Sequence, residues 1–298
     1  MGGLWATHLH EADHPVTLIL KDAAAENSFQ TASTIRVERE QRTLENHFHA
    51  TLAERIRTDD LTGDTTSLLV TTKAYDALAA LQSISHVLTQ YAVIVIMQNG
   101  MGQHELIQQA FPDLPLMTAI TSQGAYSKAP FRLVHAGHGD TWLGCLAGPQ
   151  LTVNETLAAD LLALDIAVFW DEDIAMRMWV KLAVNCVING LTVVHQCRNG
   201  EILTDALRSR VTLLCGEIGS VLSEAQSRPT QVDLYNEVIR VAAATSDNIS
   251  SMRQDVRIGR KTELDYINGY VCREAARLDI DIPENRALLD ELQQLVPS

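Results

Sequence analysis

The sequence predicts an α/β domain over residues 1–170 followed by an all-helical domain over residues 171–298. In the first half, short β-rich apolar runs alternate with helix-like stretches, the pattern of strands joined by crossover helices. From about Asp171 onward only helical periodicity remains. At 298 residues, with 46% hydrophobic and 20% charged content, the chain can bury a core in each domain.

Taken in order, a helix-like stretch over Leu4–Ala12 leads into a strand over Val16–Leu20. Further strands are expected over Ser67–Thr72 and Ala92–Met97, separated by a helix over Tyr75–Leu88. The run ending at Met97 opens into Gln98-Asn99-Gly100. Continuous apolar strands of this kind imply a parallel sheet covered on both faces. Another strand follows over Leu116–Ser122, and Arg132–Cys145 reads as a hairpin turning at His138-Gly139-Asp140. Helices are then expected over Glu172–Val194, Leu207–Gln226, Val232–Ser246 and Glu263–Arg277, with a last one after Pro283. No internal repeat or low-complexity tract is visible.

Composition narrows the function. A formal net charge of −14 repels nucleic acid and anionic lipid. No run approaches the roughly 18 apolar residues of a membrane span. The start lacks a basic leader region, so a cytoplasmic protein is expected. Five cysteines at irregular spacing, without a CxxC, read as free thiols. His8, His10 and His14 do not form a metal motif, because Pro15 ends the helix that would align them. His135 and His138, in or beside the expected turn, read as surface residues. The four tryptophans are too scattered for a stacking platform.

A dinucleotide fold opens with a strand, GxGxxG, a helix and a second strand whose end reads the ribose. Met1-Gly2-Gly3, the helix-like stretch and Val16–Leu20 form the back half of that unit, with Gly2 as the third glycine. The first strand and first two glycines are missing. A Gly pair before a helix is also a common flexible start. Lys21 stands where an NADP enzyme places a cation for the 2′-phosphate, with Asp22 after it; a solvated lysine at a strand end has the same spacing. Without its central strand such a sheet leaves two neighbours with unpaired backbone groups. The expectation is a chain that begins inside its own motif, through a misplaced start or a truncation.

In the helical half, Lys181, Asn185 and Asn189 are spaced i, i+4, i+8 and share one helix face. That stripe could be the solvated side of an amphipathic helix. Its neighbours Leu182, Val184, Val187 and Ile188 are apolar, which favours a stripe lining a cleft.

Four segments in order resemble the ketopantoate reductase (2-dehydropantoate 2-reductase) family across nearly the whole chain. They are QNGMG at 98–102, MWVKLAVNCVINGLT at 178–192 with CRNGEIL after it, NISSMRQDV at 248–256, and TELDYINGYV at 262–271 followed by IPEN. The resemblance implies a Rossmann-like N-terminal domain (here lacking its first strand), an all-α C-terminal domain, and an active site in the cleft between them. It implies NADPH-dependent reduction of ketopantoate to pantoate, toward pantothenate, by a monomer or homodimer that binds neither nucleic acid nor membrane. Lys181 matches the family's catalytic lysine, and an ammonium beside a keto oxygen polarises it and donates the proton. Glu263 matches a glutamate that orients this lysine and bonds the nicotinamide ribose. Asn185, Asn189, Asn199 and Ser251 match substrate-binding positions, and Asn99 serves substrate and cofactor. Gly2, Lys21, Lys73 and Ala125 match cofactor contacts; no metal is implied. Gly190 replaces a frequent proline and should loosen the helix locally. Two alternatives stand beside this reading: a non-catalytic remnant that binds no cofactor, and a reductase of another 2-keto acid.

Overall fold

The computed structural model describes residues 1–39, 42–57, 67–88, 93–147 and 158–296. It divides into two compact units: Met1–Gln98 with Gln103–Ile174, and Asn99–Gly102 with Ala175–Ser298.

The first unit begins with helix α1 (Gly2–Glu11), which buries Leu4, Trp5 and Ala6. Strand β1 (Thr17–Leu20) follows, then α2 (Ala23–Ala32), whose N-terminus is capped by the Asp22 carboxylate accepting from Ala25 N–H at 2.8 Å. The remaining strands are β2 (Ile35–Arg39), β3 (Arg42–Asn46), β4 (His49–Leu52), β5 (Ser67–Val70), β6 (Val93–Ile96), β7 (Leu116–Thr121), β8 (Gly124–Ala129), β9 (Arg132–Gly137), β10 (Thr141–Ala147) and β11 (Val168–Trp170). Helices α3 (Ala77–Ser83) and α4 (Gln103–Ala110) lie among them in sequence.

β6 shows why this region reads as one apolar run. Val93 and Val95 pack with Trp5, Met117 and Leu143, whereas Ile94 and Ile96 pack with Leu81 and Ile107. Alternate residues point to opposite faces, both faces are covered, and the whole strand is buried.

Three sheets result. One has the order β11-β10-β7-β6-β5, another β3-β2-β9-β8, and β1 pairs in parallel with β4 alone. The expected parallel sheet is present, except that β10 runs antiparallel to β7. No described strand stands between β1 and β5. Instead a cavity of about 410 Å³ is lined by all of Thr17–Leu20 on one side and all of Ser67–Val70 on the other. A sealed, empty void of that size would cost about 10 kcal/mol, as much as a whole domain is worth. The strands are instead partly exposed: only Leu20 of β1 and Val70 of β5 are fully buried. Solvent reaches these edges.

Two expectations fail here. Arg132–Cys145 is not a hairpin. β9 pairs with β8 and β2, while β10 pairs with β7 and β11 in another sheet. At His138–Asp140 the chain crosses between sheets, and a Cβ at Gly139 would collide with the Ser122 backbone. Turn chemistry marks where a strand ends; it does not say which strand lies next to it. The hairpin lies one strand earlier, between β8 and β9, where Phe131 takes φ +57°. His135 is accordingly not a surface residue: it is 5% exposed on β9, with its ring 5.9 Å from His8 and 4.3 Å from His138.

The second unit is built on α5 (Ile174–Val194), followed by α6 (Asp205–Ala225), α7 (Leu234–Ala244), α8 (Ser251–Arg257), α9 (Asn268–Arg277) and α10 (Pro283–Gln293). α5 is long and apolar enough to cross a membrane, but 67% of its most apolar window is buried within the protein, as in a core helix. It runs unbroken through Gly190, where Leu288 fills the space that a side chain would take. The IPEN segment starts α10 with Pro283 in its first turn, and the Glu217 carboxylate of α6 accepts from the N–H groups of Glu284 (3.0 Å) and Asn285 (2.9 Å).

Glu263–Arg277 is not one helix. A 3₁₀ turn over Leu264–Tyr266 is followed by a break at Ile267 (ψ −93°), and α9 begins at Asn268. The Tyr266 carbonyl accepts instead from Met101 N–H at 2.8 Å, and Asn268 Nδ2 donates to the Cys186 carbonyl at 3.2 Å. Both partners are distant in sequence, so local periodicity could not reveal the break.

Candidate active site

α5 places Lys181, Asn185 and Asn189 on one face, among buried Leu182, Val184, Val187 and Ile188. Lys181 and Asn185 are partly buried and Asn189 is buried. The stripe is therefore not a solvated face. Burial pushes the Lys181 ammonium down to about 8, opposed by the negative charge of Glu263. Glu263 is itself 6% exposed, at the start of the 3₁₀ turn. A desolvated cation under the influence of a buried carboxylate can serve as a proton donor near neutrality.

The QNGMG segment has a geometric explanation. Gly100 has φ +82°, and a Cβ there would collide with the Tyr266 carbonyl oxygen. Gly102 has φ +106°, with the ring of Tyr270 against it. These glycines let the loop clasp Tyr266, three residues beyond Glu263. Asn99 is thus fixed to the segment that carries the carboxylate.

Asn199 is buried. Its backbone N–H donates to the Asn248 carbonyl (3.0 Å) and its Nδ2 to Thr245 Oγ1 (3.0 Å). Its Oδ1 is buried with no hydrogen-bond partner among the described residues, leaving an acceptor for a ligand or water. Ser251 is exposed at the first position of α8. Its neighbour Ser250 is buried, caps α8 by accepting from Arg253 N–H (3.3 Å), and shares a 2.7 Å hydrogen bond with Thr192. Thr192 in turn donates to the Asn189 carbonyl at 3.1 Å. Sequence reading missed Thr192 and Ser250. Extending the i, i+4, i+8 stripe by three residues would have found Thr192 on the same face.

In the first unit, Gly2 opens α1, and a Cβ there would lie 2.5 Å from Thr71 Oγ1. That contact permits close helix–strand packing, the role of the third glycine in a dinucleotide motif. Lys21 ends β1 with its side chain 83% exposed, 3.6 Å from Asp22. Asp22 caps α2 through Oδ1 and is 47% exposed beside it, so a cation and a carboxylate both stand at this strand end. Lys73 follows β5 and precedes a 3₁₀ turn, and Ala125 lies on β8 opposite His135. A packed helix N-terminus with cations at strand ends fits an anionic dinucleotide.

Comparison with known proteins establishes the family of the chain. Residues 1–148 match the model of ketopantoate reductase PanE/ApbA, and residues 173–296 match that of its C-terminal domain. The 2-dehydropantoate 2-reductase of Vibrio cholerae is 34% identical over 300 residues, covering 100% of this chain and 95% of that protein. The Yersinia pestis enzyme of the same name is 30% identical over 299 residues, covering 99% and 91%. Among solved structures, D-mandelate dehydrogenase with NADH and anilino(oxo)acetate superposes with a TM-score of 0.85 at 22% identity, covering 99% of this chain and 94% of that one. The 2-dehydropantoate 2-reductase of Methylococcus capsulatus gives 0.80 at 22%, covering 99% and 93%. The chain belongs to the ketopantoate reductase family of NAD(P)H-dependent oxidoreductases.

Proposed function

We propose that this chain reduces 2-dehydropantoate to pantoate with NADPH in the cytoplasm. The observation that carries the reading is the desolvated Lys181 ammonium, brought to about 8, opposed by the charge of Glu263, and in line with Asn185 and Asn189. When bound, the nicotinamide supplies a hydride to the keto carbon. Lys181 polarises the keto oxygen and gives its proton to the oxygen as negative charge develops there. Glu263 holds the lysine charged and oriented. Asn99, Asn185, Asn189, Asn199 and Ser251 supply donors and acceptors for the substrate's carboxylate and hydroxyl. Polar readout of that hydroxyl discriminates against plain 2-keto acids.

Gly2, Lys21, Lys73 and Ala125 would hold the cofactor. NADPH is favoured over NADH because Lys21 places an exposed cation at the strand end, where a 2′-phosphate would be met. A second reading, reduction of another 2-keto acid with NADH, draws on the likeness to D-mandelate dehydrogenase.

The test is NADPH oxidation on addition of ketopantoate, with a panel of other 2-keto acids and NADH alongside. We expect Lys181→Ala to lower kcat/KM by about 10²–10⁴-fold. The protonated lysine is the active form, so wild-type kcat/KM should fall as pH rises through about 8. Preference for another keto acid would establish the second reading. Turnover that survives Lys181→Ala, with a flat profile through that pH, would remove Lys181 from the mechanism. No turnover and no NADPH binding would leave a non-catalytic member of the family.

A further inference from the structure

A buried carboxamide outside the Lys181 stripe ties the start of α9 to α5. Asn268 is 2% exposed and donates through Nδ2 to the Cys186 carbonyl at 3.2 Å. This partner fixes the direction of the amide, because a carbonyl can only accept. Asn268 Oδ1 is buried with no hydrogen-bond partner among the described residues, so the donor bond orients the group. Packing alone would be served as well by an apolar side chain of the same size, which buries no acceptor.

The place of this bond gives it a consequence for the site. Lys181 and Cys186 stand at i and i+5 on α5, and Glu263 and Asn268 stand at i and i+5 on the segment beside it. On the helix that offset is about 7.5 Å. Between Glu263 and Asn268 the chain is stiff. The Glu263 carbonyl accepts from the N–H groups of Tyr266 (3.0 Å) and Ile267 (3.1 Å), and Thr262 Oγ1 accepts from Leu264 N–H (3.3 Å). Arg273 Nη2 donates to the Asp265 carbonyl at 2.8 Å, and Met101 N–H to that of Tyr266 at 2.8 Å. A shift of Asn268 against α5 is therefore carried to Glu263 by a turn that moves as one piece.

We propose that Asn268 is a positioning residue for Lys181: its bond to the Cys186 carbonyl registers the Glu263 turn against α5 and sets how strongly that carboxylate acts on the ammonium. The inference deepens the reading of Lys181 as proton donor, and its catalytic consequence rests on that reading. Glu263 is the charge whose field reaches Lys181 against the effect of burial. Without the Asn268 bond the turn keeps its internal hydrogen bonds and loses its register. Coulomb attraction weakens with distance, while Lys181 stays desolvated. Its titration then moves below about 8.

The chain has five lysines, so lysine labelled with carbon-13 at Cε lets the Lys181 titration be followed by NMR without any turnover, its signal identified by loss in Lys181→Arg. Asn268→Leu keeps the volume and removes the donor. It should lower the Lys181 midpoint by at least about 0.5 pH and move the alkaline limb of kcat/KM the same way. Glu263→Gln should give a larger fall, and adding Asn268→Leu to it no further one, because both act through one charge. Asn285→Leu controls for packing. Asn285 is as buried, with Nδ2 on the Leu214 carbonyl (3.2 Å) and the Glu217 carboxylate (2.8 Å), so its loss should lower Tm and leave the Lys181 midpoint in place. If Asn268→Leu does not fold, Asn268→Ser, too short to reach the carbonyl, takes its place in the same titrations. A shifted midpoint in a protein that does not turn over ketopantoate would support the positioning role and remove only the proposed reaction. An unchanged midpoint in the Asn268 variant, or a fall that persists in full on top of Glu263→Gln, overturns the proposal.

Discussion

The helices of the second unit and the strands of the first obtain their backbone hydrogen bonds in different ways. A helix closes its bonds within itself, four residues back, and needs neighbours only for its side chains. A strand has no such bonds without a strand beside it. α5 can therefore carry Lys181, Asn185 and Asn189 through the centre of its unit on a self-sufficient backbone. β1 and β5 have a strand partner on one edge only among the described residues, and their side chains are half exposed. The contrast teaches that the proposed proton donor and its carboxamide neighbours stand on an element whose backbone bonding does not depend on strand pairing. Substitutions in the helical unit should accordingly have large and sharply local effects, and those at the strand ends small ones.

The largest of these effects is expected at Gly100. Its φ of +82° strains any other residue, and a Cβ would meet the Tyr266 carbonyl. Relief requires the loop to release Tyr266, losing the 2.8 Å bond from Met101. Gly100→Ala should cost about 2–4 kcal/mol, from backbone strain and a lost buried hydrogen bond together. Thermal unfolding reads the stability. A fall in kcat/KM would show that Asn99 and Glu263 are held by this clasp. An unchanged Tm would mean that the loop is not fixed to Tyr266.

Ser250 and Ser251 sharpen the comparison within one unit. Ser250→Ala removes one of two hydrogen-bond partners of the buried Thr192 hydroxyl and the cap of α8, and should cost about 1–3 kcal/mol. Ser251→Ala touches an exposed hydroxyl and should stay within about 0.5 kcal/mol of wild type. If Ser251 binds substrate, its variant raises KM for ketopantoate while Tm holds. The reverse pattern, with stability lost at Ser251 and kept at Ser250, would exchange their roles.

What the sequence made legible follows the same division. The long helices were readable because their signal is local and periodic, and the Lys181–Asn185–Asn189 stripe came from that periodicity. β6 was readable because both its faces are buried. The β2–β3 ribbon was not: its strands are polar on one face, and β3 is largely exposed. Arg132–Cys145 was misread as a hairpin because partner choice among strands is decided by distant residues. The break at Ile267 and the pairing of Ser250 with Thr192 depend on contacts 165 and 58 residues away, respectively, which no local pattern encodes. That Gly2 opens a helix was readable from the sequence, whereas the closeness of Thr71 to it emerged only in three dimensions.

The smallest effect is expected at Lys21, at the end of the half-exposed strand β1. Its ion pair with Asp22 is 3.6 Å long and open to solvent, and such pairs contribute little to stability. Lys21→Ala should therefore leave Tm unchanged within experimental error. If Lys21 meets the 2′-phosphate, the variant should raise KM for NADPH by about tenfold, one charge-assisted hydrogen bond in magnitude, and leave KM for NADH as it was. Added salt should narrow the difference between wild type and variant, because screening weakens an exposed charge contact. Equal losses with both cofactors would point to a distorted strand end and not to phosphate recognition. No loss with either would move the 2′-phosphate contact to another cation of the first unit, with Lys73 at the end of β5 the next residue to replace.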